Sequence, residues 1–347
     1  MLHINFLNHM LKKVQNKMEI IDYINNLYNC LKTDDLRIEI GHALLQIVDS
    51  ESDIFLPSRI ATIRQELTDE LGYIIPFVNV TVNKKINPNQ YEFYIRDKKY
   101  TSGIVYPNRY MVIADTISKK NINFEFDKIE DLDPAYGTDA IWITKEDAIK
   151  IHNDITCTDA TDVIMTHFKE FVIEHVDVIL TIKEVYKYVE TVKSNYSKQV
   201  ANTVLKRIDV TELRRILSNL IKENVSIKDI GYIFELLSDF GKFTQQSYTL
   251  SERIRFSLSK NIMNNNIKNG VLYSLTLGES LESMLIESLQ YTELGPMFML
   301  SPEQIKDFVE KVARYLMENH KKCNYQPIII ADPKIRLALY GLLVSGE

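Results

Sequence analysis

PSRIATIRQELTDELGYIIPFVNVTV, residues 57–82, carries two periodicities in succession. Ile60, Ile63, Leu67 and Leu71 recur at three- and four-residue intervals, which predicts an amphipathic helix over 57–71. Gly72 is placed to end it. Tyr73–Val82 then reads as a strand, with Pro76 near its start, where a missing N–H is tolerated. A helix running directly into a strand argues for mixed α and β structure. Upstream, IEIGHALLQIVD (38–49) reads as a buried strand or short helix closed by Asp49. Downstream, Tyr91–Arg96 alternates as a strand, Asp97–Lys99 makes a turn, Tyr100–Tyr106 returns, and Tyr110–Ala114 is a further short apolar run. Connections of this kind are hairpins and do not form a clean βαβ repeat.

From Asp115 to Thr158 short segments are broken by acidic and turn residues around the single tryptophan, Trp142. This predicts a small unit inserted into the first, after which Ala160–Leu180 reads as a helix. The remainder is largely helical. Thr181 with Glu184, Thr249 with Glu252 and Ser301 with Gln304 have capping-box spacing, and Pro302 suits a first helical position. Thr211–Lys222 predicts a helix. Ser226 is expected to cap a second one ending near Gly241, and the short joint Glu223–Val225 implies that the two pack as neighbours. Pro327–Ala331 reads as a buried strand and Lys334–Leu343 as a helix, an α/β ending.

Composition bounds the function. The 347 residues are 45% hydrophobic and 25% charged, as in a globular protein of several compact units. No run approaches the apolar length of a membrane span, and Met1–Lys17 lacks the layout of a secretory signal, so the chain as given is expected in the cytosol. That segment is basic, free of acids, and places Leu2, Phe6, Leu7, Met10, Leu11 and Val14 near one helical face. It suits a linker helix docked on protein better than one lying on an anionic membrane. A net charge of −6 argues against a nucleic-acid partner. Cys30, Cys157 and Cys323 are widely spaced and read as free thiols in a reducing compartment.

No phosphate-binding loop, dinucleotide fingerprint, zinc-protease motif or nucleophile elbow occurs in the chain. Asp154, Asp159 and Asp162 resemble a calcium loop but lack its glycine and bidentate glutamate, and helix capping explains them better. His167 and His175 have no matching third ligand. The helices within 213–237 look superficially like a helix-turn-helix, yet their basic residues do not gather on the second helix, and a structural hairpin is the better reading. The expectation is a non-catalytic protein without metal or cofactor.

Six ordered blocks carry a resemblance: residues 36–49, SRIATIRQELTDELGYIIPFVNV (58–80), INPNQYEFYI (86–95), DPAYGTDAIWI (133–143), MTHFKEFV (165–172) and LRRILSNLIKENVSIKDIGYIFELLSDF (213–240). Together they resemble the cytosolic domain of the FHIPEP family, the export-gate proteins of flagellar assembly and type III secretion. Beyond residue 240 the likeness is looser. The resemblance implies an α+β multi-subdomain fold. Its parts are a linker or N-terminal helix at 1–35, a split βα core at 36–111 plus 160–180, an inserted small subdomain at 112–159, a helical third subdomain at 181–259, and a C-terminal α/β subdomain at 260–347.

The resemblance also implies a function: a docking and substrate-sorting platform that receives export chaperone–substrate complexes. Such a platform forms a homo-oligomeric ring, typically a nonamer, at the cytosolic face of the inner membrane. Its other partners are an ATPase complex and a companion gate protein. The family's chaperone-docking residues fall on Asp133, Pro134, Tyr136 and Thr166, with Tyr136 standing where phenylalanine is usual. Arg214, Arg215 and Asp229 become candidates for contacts between subunits. Arg59, Arg64 and Glu66 are expected to face solvent or a ring neighbour. The membrane half and the last strand-forming segment of the family are not represented, which suits a shortened chain, a split gene or a soluble paralogue. A repurposed soluble scaffold and an unrecognised enzyme are the alternative functions.

Overall fold

The computed structural model describes residues 17, 20–24, 28, 31, 33–48, 56–119, 127–267, 269–292, 295–323 and 328–344. The amphipathic reading of Met1–Val14, and Asp49, fall outside them. The chain divides into two compact units, residues 1–179 and 180–347.

The first unit holds two sheets. In the first, β1 (Leu36–Ile40) lies between β2 (Val78–Val82) and β3 (Gln90–Ile95), and β4 (Lys98–Ile104) completes the order β2-β1-β3-β4. β1 and β2 are parallel and the other pairs antiparallel, with Ile38 opposite Val80 on one side and Phe93 on the other. Alternation decides the faces: Leu36, Ile38 and Ile40 are buried, while Arg37 and Glu39 point the other way into an ion pair of 3.0 Å. Helix α1 (Leu56–Leu71) buries the expected stripe of Ile60, Ile63, Leu67 and Leu71.

Three local expectations are corrected here. The strand expected from Tyr73 begins only at Val78. Arg64, expected at the surface, turns inward instead, and its guanidinium donates to the carbonyls of Ile75 (3.2 Å) and Pro76 (3.0 Å). Those carbonyls are thereby taken from any strand partner, and Pro76 has no N–H to offer one. The β3–β4 turn is the two-residue pair Arg96–Asp97, both left-handed (φ 48° and 62°), as tight hairpins with right-twisted strands require. The turn therefore lies one residue earlier than the expected Asp97–Lys99.

The second sheet has the order β6-β7-β5-β8, entirely antiparallel, from β5 (Arg109–Ile113), β6 (Lys128–Leu132), β7 (Asp139–Thr144) and β8 (Thr158–Asp159). By sheet membership it opens at Arg109. Helices α2 (Ala114–Lys119) and α3 (Lys145–Ile151) accompany it, and Val112, Ile141, Ile143, Ala148, Ile151 and Ile155 form its core. Trp142 is fully buried and meets Tyr106 edge to face at 5.4 Å. Cys157 is free and half-buried, and burial pushes its thiol up. α4 (Ala160–Glu174) and a short α5 (Val176–Ile179) replace the single helix expected over 160–180. The break is at His175, which leaves helical geometry (φ −99°, ψ 21°) while its Nδ1 bonds the Phe171 carbonyl at 3.0 Å.

The second unit begins with α6 (Ile182–Asn195), α7 (Lys198–Arg207), α8 (Val210–Lys222), α9 (Ile230–Phe240), α10 (Ser247–Ser257) and α11 (Ser259–Asn266). Thr181 caps α6 as expected, accepting from the Glu184 N–H at 3.3 Å. Asp229, not Ser226, caps α9, and Thr249 lies inside α10. The joint between α8 and α9 is longer than its polar residues suggested, because Val225 and Ile227 are buried within it. α8 packs mainly on α6 and α10, and α9 mainly on α7 and α10, so the two consecutive helices are not each other's main partners.

The C-terminal part contains β9 (Ser274–Thr276), α12 (Glu279–Glu287), the hairpin β10 (Leu289–Thr292) and β11 (Gly295–Phe298), α13 (Pro302–Cys323), β12 (Ile328–Ile330) and α14 (Pro333–Val344). Among the described residues β12 pairs in parallel with β9, and Ile328 and Ile329 are half-buried and Ile330 exposed where a buried strand was expected. The Ser301–Gln304 capping box is complete: the Ser301 N–H donates to Gln304 Oε1 (2.8 Å) and the Gln304 N–H to Ser301 Oγ (3.3 Å). Leu285, Phe308, Ile335 and Leu339 centre the core. Arg336 of α14 reaches the helical part of the same unit. It donates to both carboxylate oxygens of Glu223 (2.8 and 3.1 Å) and to Glu252 (2.6 Å), and Arg255 pairs with Glu223 at 2.9 Å.

Candidate docking groove

The turn between β6 and β7 carries three of the four expected docking residues. The Asp133 N–H donates to the Thr138 carbonyl (2.8 Å), the Gly137 N–H to the Asp133 carbonyl (2.8 Å), and the Ala135 N–H to Asp133 Oδ1 (2.9 Å). Gly137 takes φ +65°, a conformation a side chain would resist. This closed turn has opposite consequences for its members. Asp133 is 6% exposed, Pro134 half-buried, and Tyr136 stands out at 60%. The Tyr136 hydroxyl donates to Glu170 Oε1 of α4 at 3.1 Å. Partial burial raises its phenol above the ordinary value, and the charges of Glu170 and Asp133 add to the effect.

Tyr136 stands at a shallow groove of about 450 Å³. α1 contributes Ile63 and Glu66, and α4 contributes Asp162, Met165, Thr166, Lys169 and Glu170. Thr166 is half-buried with its hydroxyl bonded to the Asp162 carbonyl at 2.9 Å, so it offers the groove chiefly a methyl group. Ionic side chains occupy the rim. Lys169 bridges to Glu66 (3.4 Å) and Glu70 (3.2 Å), and Arg59 approaches Asp162 at 3.7 Å. Burial alone would depress Lys169, but Glu70 and Glu66 outweigh it and hold the ammonium above its ordinary value. Asp162 is pushed up by burial and by Asp159, against the pull of Arg59. Asp159 itself caps α4, accepting from the N–H groups of Thr161 (2.8 Å) and Asp162 (2.9 Å).

Beneath α4 lies an aromatic core. The Tyr91 hydroxyl and His167 Nδ1 share a buried hydrogen bond of 2.7 Å, and Phe93 contacts His167, Phe168 and Phe171 at centroid distances of 5.0–5.5 Å. Gly103 leaves the space the Tyr91 hydroxyl fills, since a Cβ there would fall 2.4 Å from it. Burial drives His167 down to about 4, even against the nearby negative charge of Asp133. His167 is thus a neutral core histidine at ordinary pH.

The structure brings Tyr136 and Thr166 to one groove and sets Asp133 behind them. A flanking docking carboxylate was expected at Asp133, but that side chain is spent on the turn. The carboxylates at the surface are Glu66, Asp162 and Glu170. The sequence reading missed Asp162, Met165, Lys169 and Glu170 as companions of Thr166. Their offsets of −4, −1, +3 and +4 from it put most of them on one helical face, a signal that was present. Arg59 and Glu66 face solvent on this rim and also make ion pairs there. Arg214, Arg215 and Asp229 belong to the second unit. Arg214 is half-buried on α8, Arg215 pairs with Glu212, and Asp229 accepts from the Tyr232 N–H at 3.2 Å. A larger hollow of about 670 Å³ in the C-terminal part is lined chiefly by apolar side chains such as Leu277, Leu281, Phe308 and Val312, and its Asp307 and Lys311 pair at 2.7 Å.

Known proteins share this architecture. The flagellar biosynthesis protein FlhA of Bacillus subtilis is 29% identical over 317 residues, covering 90% of this chain and 46% of that protein. The chain thus spans less than half the length of this relative. The CdsV protein of Chlamydia pneumoniae, solved in complex with CdsO, superposes with a TM-score of 0.75 at 20% identity over 90% of this chain and 91% of that one. The nonameric SctV-C of EPEC superposes with a TM-score of 0.68 at 18% identity, over 90% of each chain. The sequence profile of the FHIPEP family matches residues 7–345, nearly the whole length, and the chain belongs to that family.

Proposed function

We propose that this chain is a docking and sorting platform of a bacterial protein export apparatus, flagellar or injectisome. On this reading it receives export chaperones carrying late substrates in the groove beside Tyr136 and Thr166. The observation that carries the proposal is the 60% exposure of Tyr136, an aromatic ring at a groove whose lining includes the buried side chains of Ile63 and Met165. A rigid aromatic at a groove mouth is the common anchor of protein interfaces. Family membership supports the export setting. The nonameric SctV-C supports assembly of copies into a ring, with Arg214, Arg215 and Asp229 as interface candidates, and the CdsV–CdsO complex supports a further apparatus partner. Among the described residues no helix is long and apolar enough to cross a membrane, so a place at the inner membrane's cytosolic face would be held by contacts or segments other than these.

The test is calorimetric titration of the chain with the same organism's chaperone–late-substrate complexes. Tyr136→Ala is expected to weaken binding about 30-fold or more, the loss of about 2 kcal/mol that defines a hot spot, without altering the unfolding transition. Asp133→Ala is expected to weaken binding and lower the midpoint together, because its carboxylate builds the turn. Binding of the Tyr136→Ala variant at the parent affinity would sink the proposal.

A further inference from the structure

We propose that this groove selects partner segments that place a lysine or arginine beside their apolar anchor, with Glu170 and Asp162 as the residues that read the cation. The inference rests on the docking reading above and adds the chemistry of the occupant. It begins with an imbalance of charge. Four carboxylates, Glu66, Glu70, Asp162 and Glu170, stand in and around the groove, and two cations, Lys169 and Arg59, answer them. Lys169 is committed to α1, between Glu66 and Glu70. Arg59 answers Asp162 only at 3.7 Å and Glu170 takes a tyrosine hydroxyl, so these two are the least matched of the four.

Neither is satisfied by what it touches. Glu170 receives a hydrogen bond from Tyr136, a neutral donor, and is otherwise exposed. Asp162 has Arg59 only at 3.7 Å and the carboxylate of Asp159 nearby, which crowds its charge. Asp133, buried behind the turn, adds negative potential from a region where water screens little. The ring of Tyr136 and the Thr166 methyl stand among these acids. An occupant bearing an apolar side chain alone leaves the surplus charge unanswered, and one bearing a carboxylate is repelled. An occupant with a flanking cation satisfies both parts of the groove, and a charge-assisted hydrogen bond to Glu170 need not displace Tyr136, since a carboxylate has several lone pairs to offer. Complementarity of this kind sets partner choice and on-rate more than total affinity.

The test uses the chaperone–late-substrate complex that binds in calorimetry, titrated at low and high sodium chloride against Glu170→Gln, Asp162→Asn and Tyr136→Ala. Glu170 lies on an exposed helical face and Asp162→Asn is isosteric, so both variants are expected to unfold like the parent. Each is expected to weaken binding roughly 3- to 5-fold at low salt, the range of a partly exposed ion pair. Each is also expected to flatten the dependence of affinity on salt, and Glu170→Lys is expected to weaken binding more than Glu170→Gln. If Tyr136→Ala abolishes binding while the two neutralised variants keep the parent's affinity and salt dependence, the cation inference is overturned and the docking site stands. If Tyr136→Ala binds normally, the docking reading itself fails. Tighter binding by Glu170→Lys would mean that the occupant is acidic, and would also overturn the inference.

Discussion

Two clusters of charge in this molecule are made from the same residue types and behave in opposite ways. In the joint of the second unit, Arg336 and Arg255 meet Glu223 and Glu252, two cations for two anions, with side-chain exposures of 9–24%. In the groove of the first unit, four carboxylates meet two cations, and Glu170 takes only a tyrosine hydroxyl. The joint is closed, since each charge has its partner inside the fold. The groove is open, and completing its charge balance requires something from outside. Matched and mostly buried charges fix one arrangement of helices, because removing a member leaves another uncompensated. Unmatched charges at a rim contribute little to folding and are free to discriminate among partners.

The largest expected effect comes from breaking the closed cluster. Arg336→Met leaves Glu223 with Arg255 alone and Glu252 without its cation. It is expected to cost about 3 kcal/mol, the scale for opening a buried pair from one side. Denaturant unfolding reads this directly. Arg336→Lys is expected to recover only part of the loss, because one ammonium cannot reproduce the forked donation to two carboxylates. Partner binding at the groove is expected to survive both changes. Glu170→Gln is expected to show the reverse pattern, with stability within about 0.5 kcal/mol of the parent and binding altered. A stability loss for Glu170→Gln as large as that for Arg336→Met would erase the contrast.

The pH dependence sharpens the same comparison. His167 is held down to about 4 by burial, while an unfolded chain returns it to about 6.5. Between these values the unfolded state binds more protons than the folded one. Stability contributed by the neutral imidazole is therefore complete above pH 6.5, falls as pH drops toward 4, and changes no further below that. The full difference is on the order of 3 kcal/mol. Unfolding of the parent chain and of His167→Asn, followed from pH 7 to pH 4, checks it. The variant is expected to be less stable at pH 7, having lost the Tyr91 hydrogen bond, and to show a flatter slope. Equal slopes would place the acid sensitivity elsewhere.

What the sequence disclosed, and what it hid, follows from the range over which each feature is determined. The stripe Ile60–Ile63–Leu67–Leu71 is local, and its helix forms where periodicity placed it, whereas the strand Leu36–Ile40 ends well before Asp49, where a single element over 38–49 was expected to close. The Ser301–Gln304 box is equally local and is complete. The start of β2 was misjudged because it depends on Arg64, eleven and twelve residues away from the carbonyls it holds. The length of the joint between α8 and α9 was misjudged: it runs on to Asp229, with Val225 and Ile227 buried within it. The groove was half legible. Tyr136 and Thr166 came from the resemblance, and the face of α4 around Thr166 was readable by helical spacing. That the Asp133 carboxylate would fold back on its own turn was a local signal as well, since it accepts from the Ala135 N–H two residues on, as Asp does in an Asx turn.

The smallest expected effect concerns the one contact by which the fold already touches its surplus charge. The Tyr136 hydroxyl makes the sole hydrogen bond described for Glu170. Tyr136→Phe keeps the ring and removes that donor. Because the contact is at the surface, stability is expected to move by less than about 0.5 kcal/mol. Binding has two possible responses, and they separate two roles for the hydroxyl. If it only occupies Glu170 in the free protein, the freed carboxylate meets the partner's cation more readily, and affinity rises by a factor of roughly two or three, with a steeper dependence on salt. If instead it aims the Glu170 carboxylate, the variant loses affinity and its salt dependence flattens, as in Glu170→Gln. The groove's surplus of negative charge over fixed internal donors favours the first result, since a neutral hydroxyl answers a carboxylate less completely than a cation does.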